Sequence, residues 1–594
     1  MSSDQGENIK KSMKRKKKRS HNQIMKKMAR SRSYAGELES DAYQYMLRVW
    51  EIIRNEFSTI DDKLIFTNNV YEQTINHEVD YARNQIGSRV LESLMDYANL
   101  ETIKRMILAF QNDLRPMCSD RFASHVLQKL ICVCTDRGNR TLEKSTNNFL
   151  IEIKEDEKQK YNEMSLKLCK YVINNMEEFA WDTYANHVLR TVFQCLRGVV
   201  DKSGDQSKKK SPPCLESVLK VDQSFLDLLV DSSRRMHNWP QFLEFGHHEL
   251  TSGLLQTVLY SLKDVDSDLC STIVKKIILE SFTADDLTGF LENESSSRLI
   301  EVCLAVANVK TFKKIYKRFF INKLGQLSVM RKANFCVQRL IDNCNTKEIF
   351  EEIFDEITIH FESILQRGFT GVLFSVADAC SRLHSKQGPF INCLMKILHC
   401  EDDSMKQVQI ARLTASLVTF EKLEQAKKEK QIVPLQLHGS LIVQLMLNFN
   451  KPIKIVNSLL AADSEELVFI FNDMQGSRII DCFMSSQYIG EKSREKLAKK
   501  LQGYWVQLAC NTHGSRSLER IWEKAKENQR IIIMEELTRA GESLRSSKTG
   551  RIISTKFNVP LFARSKKEWL ESQGKDEKTK ALFADIINPD EKDK

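Results

Sequence analysis

A recurring string of polar and charged side chains contains the residues best suited to binding chemistry. Its first copy contains Ser88, Arg89 and Glu92. If this segment is helical, the three side chains project from one face, because residues three and four positions apart lie one above another. The hydroxyl and the carboxylate could then hydrogen-bond the edge of an unstacked nucleobase, while the guanidinium stacks on its plane. The spacing therefore predicts a contact site for one base.

The same string occurs eleven times along the chain. Apart from the eroded seventh copy, each copy starts with a small residue, and the string continues with a short polar residue, a variable residue and two apolar residues, ending in the best copies with an acid or Gln. The copies begin at Gly87, Ala123, Ala185, Thr251, Ser296, Ala333, Phe369, Gly439, Gly476, Gly514 and Thr549. Six of the ten intervals between them span 35–38 residues. A fixed period of this length is typical of a solenoid, in which each repeat packs on its neighbours.

Each repeat also predicts the helices that must position these side chains. Val90 and Leu94 lie on one apolar stripe of a first helix, and a second helix is predicted from Ile103 to Leu114, ended by Pro116. Only 21 glycines and 9 prolines occur in 594 residues, which disfavours sheets rich in tight turns. We therefore expect an all-α protein, a curved α-solenoid of about eleven degenerate repeats.

The spacing of the copies and the composition predict the domain organisation. Three intervals of 62, 66 and 70 residues fit one repeat plus an insertion, and their polar stretches lie near residues 136–159, 198–213 and 401–431. The solenoid is then expected over residues 41–570. It follows a basic, disordered tail at residues 1–40 and precedes a polar tail at residues 571–594.

The formal net charge of +10 resides in the N-terminal tail. Residues 1–33 contain twelve basic and two acidic residues, so the remaining 77 basic and 77 acidic residues cancel. Any nucleic-acid surface in the body must therefore be a local stripe. The dense run favours nuclear or nucleolar targeting with non-specific phosphate contact over a merely solubilising extension. The predicted targeting residues are Lys14, Arg15, Lys16, Lys17, Lys18 and Arg19.

The repeated string has a purely structural alternative. Ser88 could be a helix N-cap, Arg89 and Glu92 could form a surface ion pair, and Gly87 could simply let helices approach. Recurrence favours ligand binding, because a cap does not require Arg, His or Phe beside it and an acid or Gln on the same face. The candidate RNA-contacting residues are Ser88, Arg89, Glu92, Ser124, His125, Gln128, Asn186, His187, Ser297, Arg298, Glu301, Asn334, Phe335, Gln338, Ser477, Arg478, Ser515, Arg516, Glu519 and Arg551.

Two of the strings carry a specific resemblance to a known family. Ala123-Ser124-His125-Val126-Leu127-Gln128 and Ala333-Asn334-Phe335-Cys336-Val337-Gln338 resemble the RNA-facing helix of PUF (Pumilio) repeats. From about Asp41 to Leu570, the eleven divergent copies, the insertions and the basic N-terminus resemble the nucleolar Pumilio-like branch, the nucleolar protein nine family. The resemblance implies a superhelix that binds single-stranded pre-ribosomal RNA in the nucleolus. It also implies a role in small-subunit (18S) rRNA maturation, partly by shielding a cleavage site.

The resemblance also implies which bases some repeats would bind. In the family, the pair formed by the second and sixth residues of the string contacts the base edge, and the third residue stacks on the base. The pairs that match the guanine pair are Ser88 with Glu92, Ser297 with Glu301 and Ser515 with Glu519. Asn334 with Gln338 matches the uracil pair, whereas Gly253 and Gly371 have no side chain that could stack. We therefore expect patches of base contact and not a contiguous code.

The sequence lacks the motifs of the common enzyme classes. No P-loop, His-Glu-x-x-His or Gly-x-Gly-x-x-Gly string occurs, and the adjacent histidines 247 and 248 favour a loop or core pair over a metal site. The acid pairs 285–286 and 402–403 indicate solvated charges. The scattered cysteines favour reduced, buried thiols, and no apolar run has the length of a membrane span. We therefore predict a binding protein that is not an enzyme and has no cofactor or metal.

Two rival hypotheses remain at this stage. One is a cytoplasmic PUF regulator of mRNA 3′ ends, against which the basic tail and the eroded base-contacting pairs argue. The other is a HEAT-like or armadillo-like protein scaffold, which shares the solenoid but not the Ser-Arg-x-x-Glu face. On the main hypothesis, we expect a monomer whose partners are single-stranded pre-rRNA and pre-ribosomal particle proteins, with no membrane.

Overall fold

The protein is all-helical throughout the part of the chain that the structure describes. This computed structural model describes residues 38–55, 57–140, 153–200, 218–282 and 287–573, and none of them forms a β-strand. The predicted all-α class is therefore confirmed. None of the helices in these ranges combines the length and the apolar character needed to cross a membrane. The targeting run Lys14–Arg19 and residues 574–594 lie outside the described residues.

Most of the helices are short, and 3₁₀ or π turns follow several of them. The 3₁₀ helices are Met95–Tyr97, Phe242–Glu244 and Thr358–His360, and the π-helices are Ile277–Ser281 and Tyr316–Phe320. The α-helices are Ser40–Ile53, Ile60–Glu72, Glu78–Arg83, Gln85–Leu94, Leu100–Phe110, Leu114–Cys118, Ala123–Asn139, Glu155–Asn174, Met176–Phe179, Ala185–Arg197, Gln223–His237, Glu249–Leu262, Ser267–Lys276, Leu287–Glu292, Glu294–Val306, Val309–Ile315, Leu324–Ser328, Ala333–Asp342, Lys347–Ile357, Phe361–Gln366, Thr370–Arg382, Gln387–Ile397, Ser404–Gln407, Ile410–Ser416, Phe420–Lys428, Leu437–Leu447, Ile453–Ala461, Ser464–Asn472, Ser477–Ser485, Glu491–Lys500, Trp505–Cys510, Gly514–Lys524, Glu527–Arg539, Gly541–Ser546, Lys548–Lys556 and Val559–Arg564.

Every copy of the string lies at the start of one helix, and we call these eleven helices motif helices 1 to 11. The chain forms two compact units, one up to Thr311 and one from Phe312 onward. Within each unit, each motif helix packs against the next motif helix along the chain, which is the neighbour-to-neighbour packing of a solenoid. Motif helices 1–5, in the first unit, are Gln85–Leu94, Ala123–Asn139, Ala185–Arg197, Glu249–Leu262 and Glu294–Val306. Motif helices 6–11, in the second unit, are Ala333–Asp342, Thr370–Arg382, Leu437–Leu447, Ser477–Ser485, Gly514–Lys524 and Lys548–Lys556.

An Asn or Asp three residues before the small residue caps most motif helices. Asn84 Oδ1 accepts hydrogen bonds from the backbone N–H groups of Ile86 and Gly87, at 2.9 and 3.2 Å. The same arrangement recurs at Asp120, Asp182, Asn293, Asp473 and Asn511. The Ser88 hydroxyl is therefore not the cap, which removes one structural explanation of the repeated string.

The small residue at the start of the string is needed for a close backbone approach. A Cβ on Gly87 would lie 2.3 Å from the carbonyl oxygen of Tyr81, and one on Gly476 would lie 2.2 Å from that of Ile470. Neither backbone atom can move without shifting the short helix or segment that precedes the motif helix. This close contact fixes the orientation of the motif helix relative to the segment that precedes it.

The predicted second helix of the first repeat ends earlier than expected. It stops at Phe110, and Leu114 begins a separate short helix, Leu114–Cys118, that contains Pro116. The prediction that Pro116 ends a helix was wrong. Proline is tolerated there because the first N–H groups of a helix have no intrahelical partner.

Two of the predicted insertions are partly helical. Motif helix 2 continues to Asn139, because the buried Arg137 guanidinium donates to the carbonyls of Ala98 and Asp96, at 2.6 and 2.8 Å. The segment 401–431 contains three helices, of which Ile410–Ser416 is buried and packs against motif helix 8. These stretches were assigned to loops from their polar residues, but their few apolar residues and Arg137 build the core. In the third insertion, Gly198 ends motif helix 3 with φ of 85°, and residues 201–217 lie outside the described residues.

Candidate nucleic-acid interface

The third residue of the string, here called the middle residue, is exposed, whereas the other residues of the string are buried or half-buried. In motif helix 1, Arg89 is exposed, whereas Gly87, Ser88, Val90 and Leu91 are buried and Glu92 is half-buried. The same order of burial recurs in the other copies that have a side chain at this position, apart from motif helices 8 and 11 and from motif helix 10, where Ser515 is half-buried. Exposed planar side chains at this position are Arg89, His125, His187, Arg298, Phe335, Arg478 and Arg516.

The exposed middle residues are chemically suited to stacking on a base. Phe335 is 52% exposed, although a phenylalanine is normally buried in a soluble protein. Partial burial lowers the pKa of His125, and burial together with Arg190 and His125 lowers the pKa of His187. Both imidazoles are therefore neutral near pH 7 and offer uncharged aromatic faces. Stacking of this kind tolerates any base, because every base has a π-face.

The short polar residue before the third string position is buried in most copies, although Ser515 of motif helix 10 is half-buried. The hydroxyls of Ser88, Ser297, Ser477 and Ser515 each donate to the carbonyl three residues earlier, at 3.1–3.3 Å. In motif helix 6, the Asn334 side chain donates to the carbonyls of Met330 and Arg331. These residues lie at the base of the exposed face, with their polar atoms held by the helix start.

The last residue of the string is half-buried and oriented by its neighbours. Gln338 Nε2 donates to Asn334 Oδ1 at 2.9 Å, so the two carboxamides are aligned before any ligand arrives. Gln128 Oε1 accepts a hydrogen bond from Thr191 of motif helix 3, at 3.0 Å. Side chains on the string faces of motif helices 2 and 3 are thus in direct contact.

Glu92 has an unusual electrostatic environment. Burial raises its pKa to about 7, although the nearby Lys129 and Arg89 favour the charged form. A carboxyl with this pKa is only partly ionised near neutral pH. Two N–H donors on a guanine edge would stabilise its charged form, so binding of such an edge and ionisation of Glu92 are coupled.

In the second unit, the acids of the string form ion pairs with basic residues of the next motif helix along the chain. Asp481 lies 3.4 Å from Arg478 of its own helix and 3.4 Å from Arg520 of motif helix 10. Glu519 in turn lies 3.0 Å from Lys556 of motif helix 11. Neither Arg520 nor Lys556 was predicted from the sequence to lie at this face. The sequence signal for both is a basic residue directly after the last residue of the string, counted in the eleventh copy from Gly550. The same signal occurs in the first unit at Lys129, which contacts Asp96 at 2.7 Å.

Asn186, a predicted RNA contact, holds the same buried second position of the string as Ser88 and Asn334. Its side chain is fully buried, and Nδ2 donates to the carbonyl of Ala180 at 2.9 Å. The short segment before motif helix 3 leaves this carbonyl within reach, so the amide is used for packing. The surface of motif helix 3 is therefore made by His187 and Arg190.

The eleventh copy is shifted by one residue from the predicted alignment. In motif helices 1–6 and 8–10, the N–H of the second string residue donates to the carbonyl of the residue four before it, as Ser88 does to Asn84. In motif helix 11 this bond runs from Arg551 to Ser547, and Ser547 also caps Gly550. Gly550 is therefore the small residue, Arg551 takes the place of Ser88, and the exposed Ile552 takes the middle position.

Motif helix 7 departs from the other copies at the last position of its string. Phe374 replaces the acid or Gln and stacks against His438, with ring centroids 5.9 Å apart and planes 18° apart. His438 Nδ1 also lies 2.8 Å from Thr370 Oγ1. Burial lowers the pKa of His438. Its neutral ring and the Phe374 ring therefore form an aromatic pair that links motif helices 7 and 8.

Comparison with known proteins places this repeat architecture in a family. Residues 76–552 match the NOP9-like PUF repeat domain. The chain belongs to this family. It is 25% identical to Nucleolar protein 9 of Homo sapiens over 93% of this chain and 91% of that protein. It is also 23% identical to Pumilio homolog 23 of Arabidopsis thaliana over 90% of this chain and 73% of that protein.

Solved structures support the same repeat fold. The APUM23-GGAGUUGACGG structure superimposes with a TM-score of 0.70 at 21% identity, covering 90% of this chain and 99% of that one. The APUM23-GGAAUUGACGG structure superimposes with a TM-score of 0.71. The predicted assignment to degenerate PUF repeats is therefore confirmed.

Proposed function

We propose that this protein binds single-stranded pre-ribosomal RNA and acts in small-subunit (18S) rRNA maturation, as a binding protein without catalysis. The observation that carries the proposal is the row of exposed planar side chains beside half-buried hydrogen-bonding groups on successive motif helices. This arrangement suits unstacked bases, which need one surface for the plane and another for the edge. The names of the human and Arabidopsis relatives support a nucleolar Pumilio-like role.

The intact strings predict which bases fit. Guanine presents two adjacent N–H donors, which match the two oxygens of Glu92, Glu301 or Glu519. Uracil presents a donor between two acceptors, which suits the aligned carboxamides of Asn334 and Gln338. Motif helices 1, 5, 6 and 10 are therefore expected to bind G, G, U and G.

The RNA of the APUM23 structure has eleven nucleotides, GGAGUUGACGG, which equals the number of motif helices. If RNA and protein run in opposite directions, motif helices 1, 5, 6 and 10 face nucleotides 11, 7, 6 and 2, which are G, G, U and G. If they run in the same direction, motif helix 5 faces U at nucleotide 5 instead of G. The side chains of this protein therefore favour the opposite direction, and we propose a target of this type.

A double-mutant cycle tests the binding and its direction. We expect Glu301→Gln and a G-to-A change at nucleotide 7 each to weaken binding of GGAGUUGACGG about tenfold, and the combination to add little, because both remove one contact. If the effect of Glu301→Gln is instead coupled to a change at nucleotide 5, the RNA and the protein run in the same direction. Absence of RNA binding by the folded protein would leave the protein-scaffold hypothesis.

The cellular role has its own test. Crosslinking of the tagged protein in cells, followed by sequencing, is expected to recover pre-rRNA, whereas recovery of mRNA 3′ ends would favour the rival PUF regulator. We propose that residues 1–40 direct the protein to the nucleolus, so their deletion should disperse it in imaging experiments. We also propose that it acts as a monomer within a pre-ribosomal particle, which light scattering and purification of the particle would test.

Shielding of a cleavage site can be measured directly. We propose that bound protein protects its RNA from endonuclease attack. Pre-rRNA incubated with the wild-type protein should be cut more slowly than with a variant that does not bind. Equal cleavage rates would exclude shielding while leaving the binding proposal intact.

A further inference from the structure

Motif helices 4 and 7 have glycine at the position where seven other motif helices have an exposed planar side chain. Gly253 and Gly371 occupy the position of Arg89 in motif helix 1. A nucleotide that faces either helix would therefore meet no side chain from that position. Each glycine thus interrupts the row of planar groups within its unit.

In both cases a planar side chain of the preceding motif helix lies over the glycine. A Cβ on Gly253 would lie 3.1 Å from Nη1 and 3.4 Å from Cζ of Arg190. A Cβ on Gly371 would lie 2.8 Å from Nε2 and 3.0 Å from Cδ of Gln338. Arg190 and Gln338 both hold the last position of their string, so a side chain of the preceding motif helix covers the glycine in both cases.

Arg190 is fixed in this place by motif helix 4. Its Nε donates to Thr257 Oγ1 at 3.1 Å, and Thr257 Oγ1 donates to the carbonyl of Gly253 at 3.0 Å. Thr257 lies one helical turn after Gly253, so the guanidinium extends along the surface of motif helix 4. The arginine belongs to motif helix 3 in sequence but covers motif helix 4.

The charge of Arg190 is not used by the protein. Among the described residues, no carboxylate lies within ion-pair distance of its guanidinium, whereas Arg298 contacts Glu294 and Arg478 contacts Asp481. Burial lowers the pKa of Arg190, and the nearby His187 adds no negative charge. Holding a half-buried cation without a carboxylate partner costs stability, which a bound electron-rich ring would offset.

We propose that Arg190 is the stacking residue for the nucleotide that faces motif helix 4, and that Gly253 is glycine to admit it. This inference rests on the proposed function. A guanidinium plane stacks on bases as aromatic rings do. Arg190 then acts on the nucleotide of the next repeat, and motif helix 3 has no acid or Gln at the sixth position of its string.

The test uses the full-length protein and GGAGUUGACGG, in which nucleotide 8 faces motif helix 4 in the proposed direction. Arg190→Ala is expected to weaken binding about tenfold, and Arg190→Lys to do the same, because lysine keeps the charge but has no plane. Arg235→Ala is the matched control, since Arg235 is exposed on a helix without a motif. Retention of wild-type affinity by Arg190→Lys would overturn the proposal.

A second RNA and a rescue variant separate stacking from a structural role. With an abasic nucleotide 8, the wild-type protein should lose about tenfold in affinity and Arg190→Ala should lose nothing further. The double variant Arg190→Ala/Gly253→Arg should regain affinity for the intact RNA, because it places a guanidinium at the usual position. Additive losses, or no rescue in a variant with unchanged thermal melting, would contradict the assignment.

Thr257→Val provides a milder variant that leaves Arg190 in place. Loss of the Nε anchor is expected to weaken binding of the intact RNA about threefold and of the abasic RNA not at all. An equal loss on both RNAs would argue against stacking. If the wild-type protein does not bind GGAGUUGACGG, the proposed function fails before Arg190 is tested.

Discussion

Motif helices with an intact string and those with glycine present planar side chains in different ways. In motif helix 5, Arg298 extends from its own helix and Glu301 lies one turn further on. In motif helix 4, Arg190 crosses from the preceding helix to cover Gly253. A repeat whose string is eroded can therefore still offer a planar surface, provided that a neighbour has a long planar side chain at the right position.

The largest effect is expected from removing stacking residues of intact strings. Arg89, Arg298 and Arg516 changed together to Ala should weaken binding of GGAGUUGACGG by about a hundredfold or more, because each stack contributes roughly 1–3 kcal/mol. Fluorescence anisotropy measures the loss, and circular dichroism should show an unchanged fold. The matched control changes three exposed arginines outside the motif helices, Arg48, Arg235 and Arg539. Equal loss in both variants would mean that charge, and not position, governs binding.

The second effect is a change of base preference in an intact string. Ser297→Asn with Glu301→Gln should convert motif helix 5 to the carboxamide pair of motif helix 6. We expect about tenfold weaker binding of G at nucleotide 7 and a preference for U there, since each matched edge discriminates by roughly 1–3 kcal/mol. Competition between the two RNAs measures it. An unchanged preference would show that motif helix 5 does not contact the base edge.

A pH-dependent effect is expected at motif helix 1, where burial raises the pKa of Glu92 to about 7. The ionised fraction of Glu92 falls about tenfold from pH 8 to pH 6, so affinity for G at nucleotide 11 should fall in the same direction. The Glu92→Gln variant is the control and should lose this pH dependence. A wild-type profile that matches the variant would contradict the coupling.

The same pKa determines the sign of a stability effect. The folded protein binds the Glu92 proton more tightly than the unfolded chain, whose value is near 4.5. The contribution of Glu92 to stability is therefore largest below pH 4.5 and falls as the pH rises through about 7. The Glu92→Gln variant should show a smaller fall across this range in denaturant unfolding experiments.

The smallest effect concerns the basic residues that hold the acids of the second unit. Lys556→Met removes the contact with Glu519, but the lysine is about half exposed. Exposed ion pairs contribute roughly 0–1 kcal/mol, so we expect about a twofold loss of RNA affinity, reduced further at high salt. Calorimetric titration at two salt concentrations measures it. A loss larger than that of Glu301→Gln would mean that Lys556 itself contacts RNA.

The sequence predicted the exposed face well because its spacing is dictated by helix geometry. The alternation of buried and exposed positions around Arg89 and Arg298 follows from one apolar stripe per helix. What it could not predict depends on contacts between segments. Asn186 is buried because one carbonyl lies nearby, and Arg190 reaches motif helix 4 because that helix has a glycine.

The eleventh copy and the segment 401–431 show two further limits. At Arg551, two alignments of the string are possible from the letters alone, and only the Ser547 hydrogen bonds decide between them. In the segment 401–431, polar residues outnumber apolar ones, yet Ile410 and Leu413 suffice to bury a short helix. Composition describes an average, whereas burial depends on which few residues face the neighbouring helix.

A titration of the wild-type protein with single-nucleotide variants of GGAGUUGACGG tests the central claim most directly. The claim is that intact motif helices each bind one base through a stacking group and an edge group. It predicts roughly tenfold losses for transversions at nucleotides 2, 6, 7 and 11, where intact strings face the RNA. Equal affinity for all variants, or losses confined to other nucleotides, would contradict it.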